Sequence, residues 1–227
     1  MMIQKGDFIK ITYTGQIKDE NGEIFDTTDE QIARDNDIYD DAYSYNEEII
    51  IVGAGYALEG LEEDVIGKEV GYSGAVSISP EKGFGEYDPE LIKSYNINQF
   101  KQKPEVGVMV QIDGKYGTVH RVIGRRVQVD FNNLLSNETL YYTYKIEEKI
   151  EDELEKIKRL MHLYTKETPE VDINNNTATM DVPIKIAQMP QWVISKRKLA
   201  EEIIKYTNIT EVIYTETYTK NSIETAT

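Results

Sequence analysis

Two short stretches decide the fold of this chain: Ile11-Thr12-Tyr13-Thr14-Gly15 and Glu23-Ile24-Phe25-Asp26-Thr27. Between them stands Asn21-Gly22, and such a pair between apolar runs is the strongest short-range hairpin signal. A hairpin there brings Tyr13 close to Phe25 and Asp26. Two rings and a carboxylate meeting in a mostly apolar place are unusual for packing alone, because acids are rarely buried without a partner. The trio is therefore the first candidate site.

The rest of the chain sets the frame. At 227 residues it is long enough for two domains or more, and 40% hydrophobic against 29% charged residues fits a globular protein with a real core. The net charge of −16 repels phosphate backbones and argues against general nucleic-acid binding. There is no cysteine, which removes disulfides, thiol catalysis and thiolate zinc sites, and the two histidines, His120 and His162, form no ligand cluster by spacing. No cofactor and no metal are expected. Residues 1–10 carry Lys5, Asp7 and Lys10 without a long apolar run, and no stretch approaches the ~20 apolar residues of a membrane span. The expected location is the cytoplasm, without membrane contact.

Hydrophobic periodicity orders the elements. Residues 7–13 alternate as a strand, and 29–48 form an acidic, tyrosine-rich excursion with room for one helical turn. Ile49 to Val52 read as a buried strand. Leu58, Leu61, Val65 and Ile66 predict a helix over 56–66 with Gly67 as its stop. Ala75 to Ser79 form another strand. Three strands follow over 106–112, 116–123 and 126–131, and 139–146 reads as a central strand. Residues 147–163 read as a charged helix whose Ile150, Leu154, Ile157 and Met161 make an apolar seam. That seam is either intradomain packing or a dimer contact, and the dimer is the preferred reading. A hairpin around Asn174-Asn175-Asn176, a helix over 191–206, a strand over 211–218 and a frayed tail over 220–227 complete the chain.

Four motifs in this order, ITYTG, IFDTT, VGAGYALEGLEEDVIG and ISPEKGFG, resemble the FKBP family of peptidyl-prolyl isomerases. The long insertion after Phe84-Gly85, followed by VDFNN and TLYYTYKI, is similar to the SlyD-type branch. There a chaperone module sits in the flap. The extra C-terminal region looks like that of long archaeal members. The resemblance implies an α+β fold, with an antiparallel FKBP-like sheet wrapped over a short helix, a small β-rich flap domain and a C-terminal αββαβ domain. The expected division is 1–87 with 130–149 for the isomerase domain, 88–129 for the insert and 150–227 for the C-terminal domain.

The same resemblance implies the site. Tyr13, Phe25, Asp26, Leu61, Phe84 and Tyr142 are the expected catalytic set, and Ala57, Leu58 and Ile50 the expected substrate-binding residues. Leu61 stands where short members often carry tryptophan, and Phe84 lacks the hydroxyl of the tyrosine often found there. The expected activity is prolyl isomerisation of unfolded or proline-containing chains, coupled to chaperone binding through an apolar insert face of Val106, Val108, Val110, Val119, Val122 and Ile123. The rival reading is a non-catalytic holdase that binds proline segments. A homodimer through the C-terminal domain is the expected assembly.

Overall fold

The computed structural model describes residues 1–219; the expected frayed tail over 220–227 lies outside the described residues. The first unit contains β1 (Phe8–Ile17), β2 (Ile24–Thr27), α1 (Glu30–Asp35), β3 (Glu48–Ile51), α2 (Glu59–Val65) and β4 (Ser73–Ile78). An inserted sheet follows, made of β5 (Ile92–Asn96), β6 (Met109–Ile112), β7 (Lys115–Ile123) and β8 (Arg126–Asp130). The chain returns to the first sheet as β9 (Leu140–Ile150). It ends with α3 (Glu153–Thr165), β10 (Val171–Asn174), β11 (Thr177–Asp181), α4 (Ile184–Ala187), α5 (Pro190–Tyr206) and β12 (Glu211–Thr215).

The first sheet runs β2-β1-β9-β4, with β3 pairing to β1, and every pair is antiparallel. The β1–β9 ladder spans the whole of β1, from Phe8 opposite Ile150 to Ile17 opposite Leu140. This sheet wraps over α2. Leu61 and Val65, one turn apart on the helix, bury against Ile9, Ile11, Ile50, Ile78, Leu140 and Ile146. Full burial of each such side chain is worth roughly 1.5–3 kcal/mol. The helix comes close enough to β4 that a Cβ on Gly60 would lie 2.7 Å from Ile78 Cγ2.

The opposite face of the sheet is also covered. Phe8, Ile51 and Ile150 join Ile157, Leu160, Met161, Met180, Leu199 and Ile203 of the C-terminal unit in one continuous core. The β-branched run of β3 follows from this. Ile50 and Val52 face α2, while Ile49 and Ile51 face the C-terminal unit, so both sides of the strand must be apolar.

Several expectations are corrected. Residues 147–150 extend β9 rather than begin a helix, because Ile150 pairs with Phe8. The helix α3 starts where the Asp152 carboxylate accepts from the Glu155 amide at 2.8 Å. Its Ile157 and Met161 lie in the intrachain core together with Ile150, so these three seam positions are taken up by internal packing. The helix α2 is shorter than 56–66. Leu58 is still extended at φ −59°, ψ 139°, and Gly67 at φ +82° follows the stop. The C-terminal unit adds α4 to the expected αββαβ order, and its β11 and β12 pair in parallel. The insert has a fourth strand, β5, giving the order β5-β8-β7-β6. Among the described residues, no helix is long and apolar enough to cross a membrane.

Gly60→Ala is expected to overpack the α2–β4 contact and destabilise the fold by about 1–3 kcal/mol. A chemical-denaturation midpoint unchanged from wild type would show that Ile78 simply moves aside.

Candidate active site

The hairpin forms, but not through a two-residue turn. β1 and β2 are joined by residues 18–23, with Lys18 at φ 74° and the Gly22 amide donating to the Asp19 carbonyl at 2.9 Å. The decisive feature is a bulge. Gly15 pairs with Asp26 while Gln16 pairs with Ile24, so Phe25 is an extra residue on β2. A bulge re-aims the side chains beside it. Here it lets two consecutive residues, Phe25 and Asp26, both serve the site.

Gly15 makes the ring contacts geometrically permissible. A Cβ there would lie 2.9 Å from Cζ of both Phe25 and Tyr142. Across this bare backbone the Phe25 and Tyr142 centroids stand 5.9 Å apart, edge to face at 77°. Phe84 meets Phe25 at 6.1 Å and 73°, and Tyr13 tilts against Tyr142 at 5.5 Å. Edge-on and tilted pairs are the arrangements aromatic quadrupoles favour. Phe84 is held by a tight turn: the Gly85 amide donates to the Pro80 carbonyl at 2.7 Å, and the Asn137 amide donates to the Gly85 carbonyl at 2.8 Å.

The sequence-predicted residues therefore occupy one place, at different depths. Tyr13, Phe25, Ala57, Leu58 and Phe84 are partly exposed and pack on the buried cluster that contains Leu61, Ile50 and Tyr142. Leu61 and Ile50 are each 1% exposed, so they back the walls while the partly exposed residues face outward. Asp26 stands opposite Gly15 beside the rings, and the Tyr13 hydroxyl and the Thr27 amide favour its charged form. Burial first, and the nearby Glu48 charge second, hold its carboxyl above the ordinary Asp value. Burial likewise raises the Tyr13 and Tyr142 phenols, with Glu48 and Asp26 adding to both.

Three polar groups that the sequence reading missed hold this geometry. Glu62 is 4% exposed and accepts from the Ala57 amide at 2.9 Å and the Gly55 amide at 3.2 Å, fixing the rim loop before α2. Its place beside Glu63 made it look like a solvated helix acid. Glu48 accepts from the Tyr13 and Tyr43 hydroxyls, each at 3.0 Å. Its parity with Ile50 and Val52 on β3 was a readable signal. Thr28 accepts from the Tyr13 amide at 2.9 Å. The rim is also braced from the C-terminal unit, where Glu202 accepts from Tyr56 at 2.6 Å and Tyr164 at 2.9 Å.

Comparison with known proteins agrees with this architecture. A family model for the FKBP-type peptidyl-prolyl cis-trans isomerase matches residues 1–105. Models for the FKBP26 IF domain and the FKBP26 C-terminal region match residues 92–135 and 153–219. The short-type peptidyl-prolyl cis-trans isomerase of Methanocaldococcus jannaschii is 35% identical over 64% of this chain and 92% of its own length. SlyD, the FKBP-type isomerase of Haemophilus influenzae, is 28% identical over 69% of this chain and 77% of its own. The FKBP-type 16 kDa isomerase of Escherichia coli is 31% identical over 39% of this chain and 64% of its own. The chain belongs to the FKBP-type peptidyl-prolyl cis-trans isomerases. It is SlyD-like in carrying an insert in the flap, and it adds a C-terminal domain.

Gly15→Ala should force the Phe25 and Tyr142 rings apart and lower kcat/KM on a proline tetrapeptide by about tenfold, the equivalent of ~1.4 kcal/mol in the transition state. Activity equal to wild type would mean that the ring contacts across Gly15 are dispensable.

Proposed function

We propose that this enzyme twists X-Pro bonds against the wall formed by Tyr13, Phe25, Phe84 and Tyr142, with Ala57 and Leu58 at the rim and Leu61 and Ile50 behind. The observation that carries the reading is the convergence of the rings across Gly15, whose partner on β2 is Asp26. Isomerisation must break amide resonance, against a barrier of ~18–20 kcal/mol. Uncatalysed it takes ~10–100 s. The twisted amide has a smaller carbonyl dipole than the planar one. A dry aromatic surface therefore disfavours the planar ground state, and each ~1.4 kcal/mol of difference gives a tenfold rate. No proton is transferred, so Asp26 acts as a fixed charge at the edge of the wall rather than as an acid or base.

The insert supplies a holding surface for incompletely folded, proline-containing chains of the cytosol. Val106, Val108 and Ile123 are 64%, 49% and 55% exposed, while Val119 is consumed in a core with Val127 and Val129. Val110 and Val122 are partly buried against that core. An apolar patch tethered beside the wall raises the local concentration of a client segment at the site. The base of the insert is fixed: Asn132 accepts from the Asp88 amide and donates to the Asp88 carbonyl, both at 2.9 Å. For a homodimer through the C-terminal domain, the proposal moves from the α3 seam to the outer face of α5, where Val193 and Ile194 are exposed.

Two measurements test the division of labour. Asp26→Ala is expected to slow tetrapeptide isomerisation, and a wild-type rate would remove Asp26 from the mechanism. Replacing Val106 and Val108 by Ser and Ile123 by Thr should leave the tetrapeptide rate unchanged and slow catalysed refolding of a proline-limited protein. Equal losses on both substrates would contradict separate roles. A wild-type chain that suppresses aggregation without isomerising the tetrapeptide would favour the holdase reading.

A further inference from the structure

The loop that brings the chain back from the insert carries Leu134 and Leu135, which point in different ways. Leu135 packs on the buried cluster together with Phe84. Leu134 is 74% exposed. Its backbone is nevertheless fixed. The Asn133 side chain accepts from the Leu135 amide at 2.9 Å, and the Asn133 carbonyl accepts from the Ser136 amide at 3.0 Å. The Asn137 amide ties the same loop to the Gly85 carbonyl, one residue beyond Phe84.

One exposed leucine is ordinary. This one borders a cleft of about 330 Å³ at the base of the insert, with Tyr87, Val106, Thr118, His120 and Ser136 around it. Tyr87 and Val106 are exposed as well. The Tyr87 hydroxyl donates to the Asp130 carboxylate at 3.0 Å, and Asp130 accepts in turn from the Asn132 amide at 2.9 Å. His120 is the extra residue of a bulge in β7, between Val119 opposite Val129 and Arg121 opposite Gln128. The bulge lets the consecutive Val119 and His120 both border the cleft. Among the described residues, the hydroxyls of Thr118 and Ser136 and the imidazole of His120 make no hydrogen bond to protein. Apolar anchors set among such groups suit an extended polypeptide, which brings apolar side chains and an unpaired backbone together.

We propose that this cleft is a second client subsite of the isomerase: it takes an apolar side chain of the same unfolded chain whose X-Pro bond lies at the aromatic wall. This rests on the proposed wall and on the insert as its holding surface. Position argues for that occupant. Val106 belongs both to the exposed insert face and to the cleft, while Leu134 adjoins Leu135, which shares the buried cluster with Phe84. A client that touches insert and wall together has the cleft between its two contacts. The volume lies at the lower end of the ~300–1,000 Å³ of ligand sites, room for a side chain or two and not for a folded partner. Once the cleft is filled, engagement of the wall becomes intramolecular and depends on the length of chain between the two points. The enzyme should therefore favour clients with an apolar residue at one spacing from the proline.

The experiment uses the full chain and a series of blocked, uncharged proline peptides, each with one leucine at a different spacing from the proline, against a blocked tetrapeptide. Wild type is expected to show its highest kcat/KM at one spacing, through a lower KM. Leu134→Ser should flatten the series, cutting the advantage of the best peptide over the tetrapeptide about fivefold, and Leu134→Met should restore it. The Leu134 methyl signals in NMR should shift with the best peptide and not with the tetrapeptide. A spacing series unchanged in Leu134→Ser would overturn the proposal, as would methyl signals that ignore every peptide. Signals that move with protein concentration alone would give the cleft to a second copy of the chain and overturn it equally. Loss of catalysed refolding on changing Val106, Val108 and Ile123, with the series intact in Leu134→Ser, would leave the holding face standing and remove the cleft. Wild type that isomerises no tetrapeptide would remove the wall; Leu134 shifts on peptide addition would then still support the cleft as a binding site, and their absence would reject it.

Discussion

The pairing of β1 with β9, covered on both faces, is the constraint on which the rest depends. One face carries Ile9, Ile11, Leu140, Tyr142 and Ile146 onto α2. The other carries Phe8 and Ile150 onto the C-terminal core. The same two strands deliver Tyr13 and Tyr142 to the site, with Gly15 opposite Tyr142 as the gap through which the rings meet. Packing at either face therefore bears on the geometry of the wall. The C-terminal domain is part of this arrangement, since its core is continuous with the underside of the isomerase sheet.

Polar groups finish what packing begins. The rim loop over 53–58 has no regular structure to hold it. Glu62 fixes it from within, and Glu202 fixes Tyr56 from α5. Hydrogen bonds to a charged group contribute roughly 1.5–3 kcal/mol, enough to choose one loop conformation over its neighbours. Glu48 does the same for Tyr13. In an acidic chain Glu62 and Glu48 act as acceptors for neutral amides and phenols, while Glu202 holds two phenols with Lys198 3.8 Å away.

Much of this was legible in the sequence. The order of the four motifs carried the fold, and with TLYYTYKI the resemblance named the four rings that the structure brings together. The α+β organisation, with an insert and a C-terminal unit, was also readable. What failed has a physical reason in each case. Ile150 read as helical because its apolar spacing fits a helix seam, but strand pairing to Phe8 took it. β5 was missed because Ile-Lys-Ser-Tyr-Asn offers only two apolar side chains, and its partner β8 supplies the ladder. The bulge at Phe25 leaves no trace in composition. The acceptor Glu62 looks like a solvated acid until the tertiary fold brings amides to it, and the strand parity of Glu48 with Ile50 points inward without naming the hydroxyls it meets.

The central claim is that a proline segment is twisted against the Tyr13–Phe25–Phe84–Tyr142 wall. Exchange NMR on a proline tetrapeptide, recorded with the full chain carrying labelled aromatic side chains, tests it most directly. The account predicts accelerated cis–trans exchange together with shifts confined to those four rings. Acceleration with shifts elsewhere, or binding at the wall without faster exchange, would contradict it.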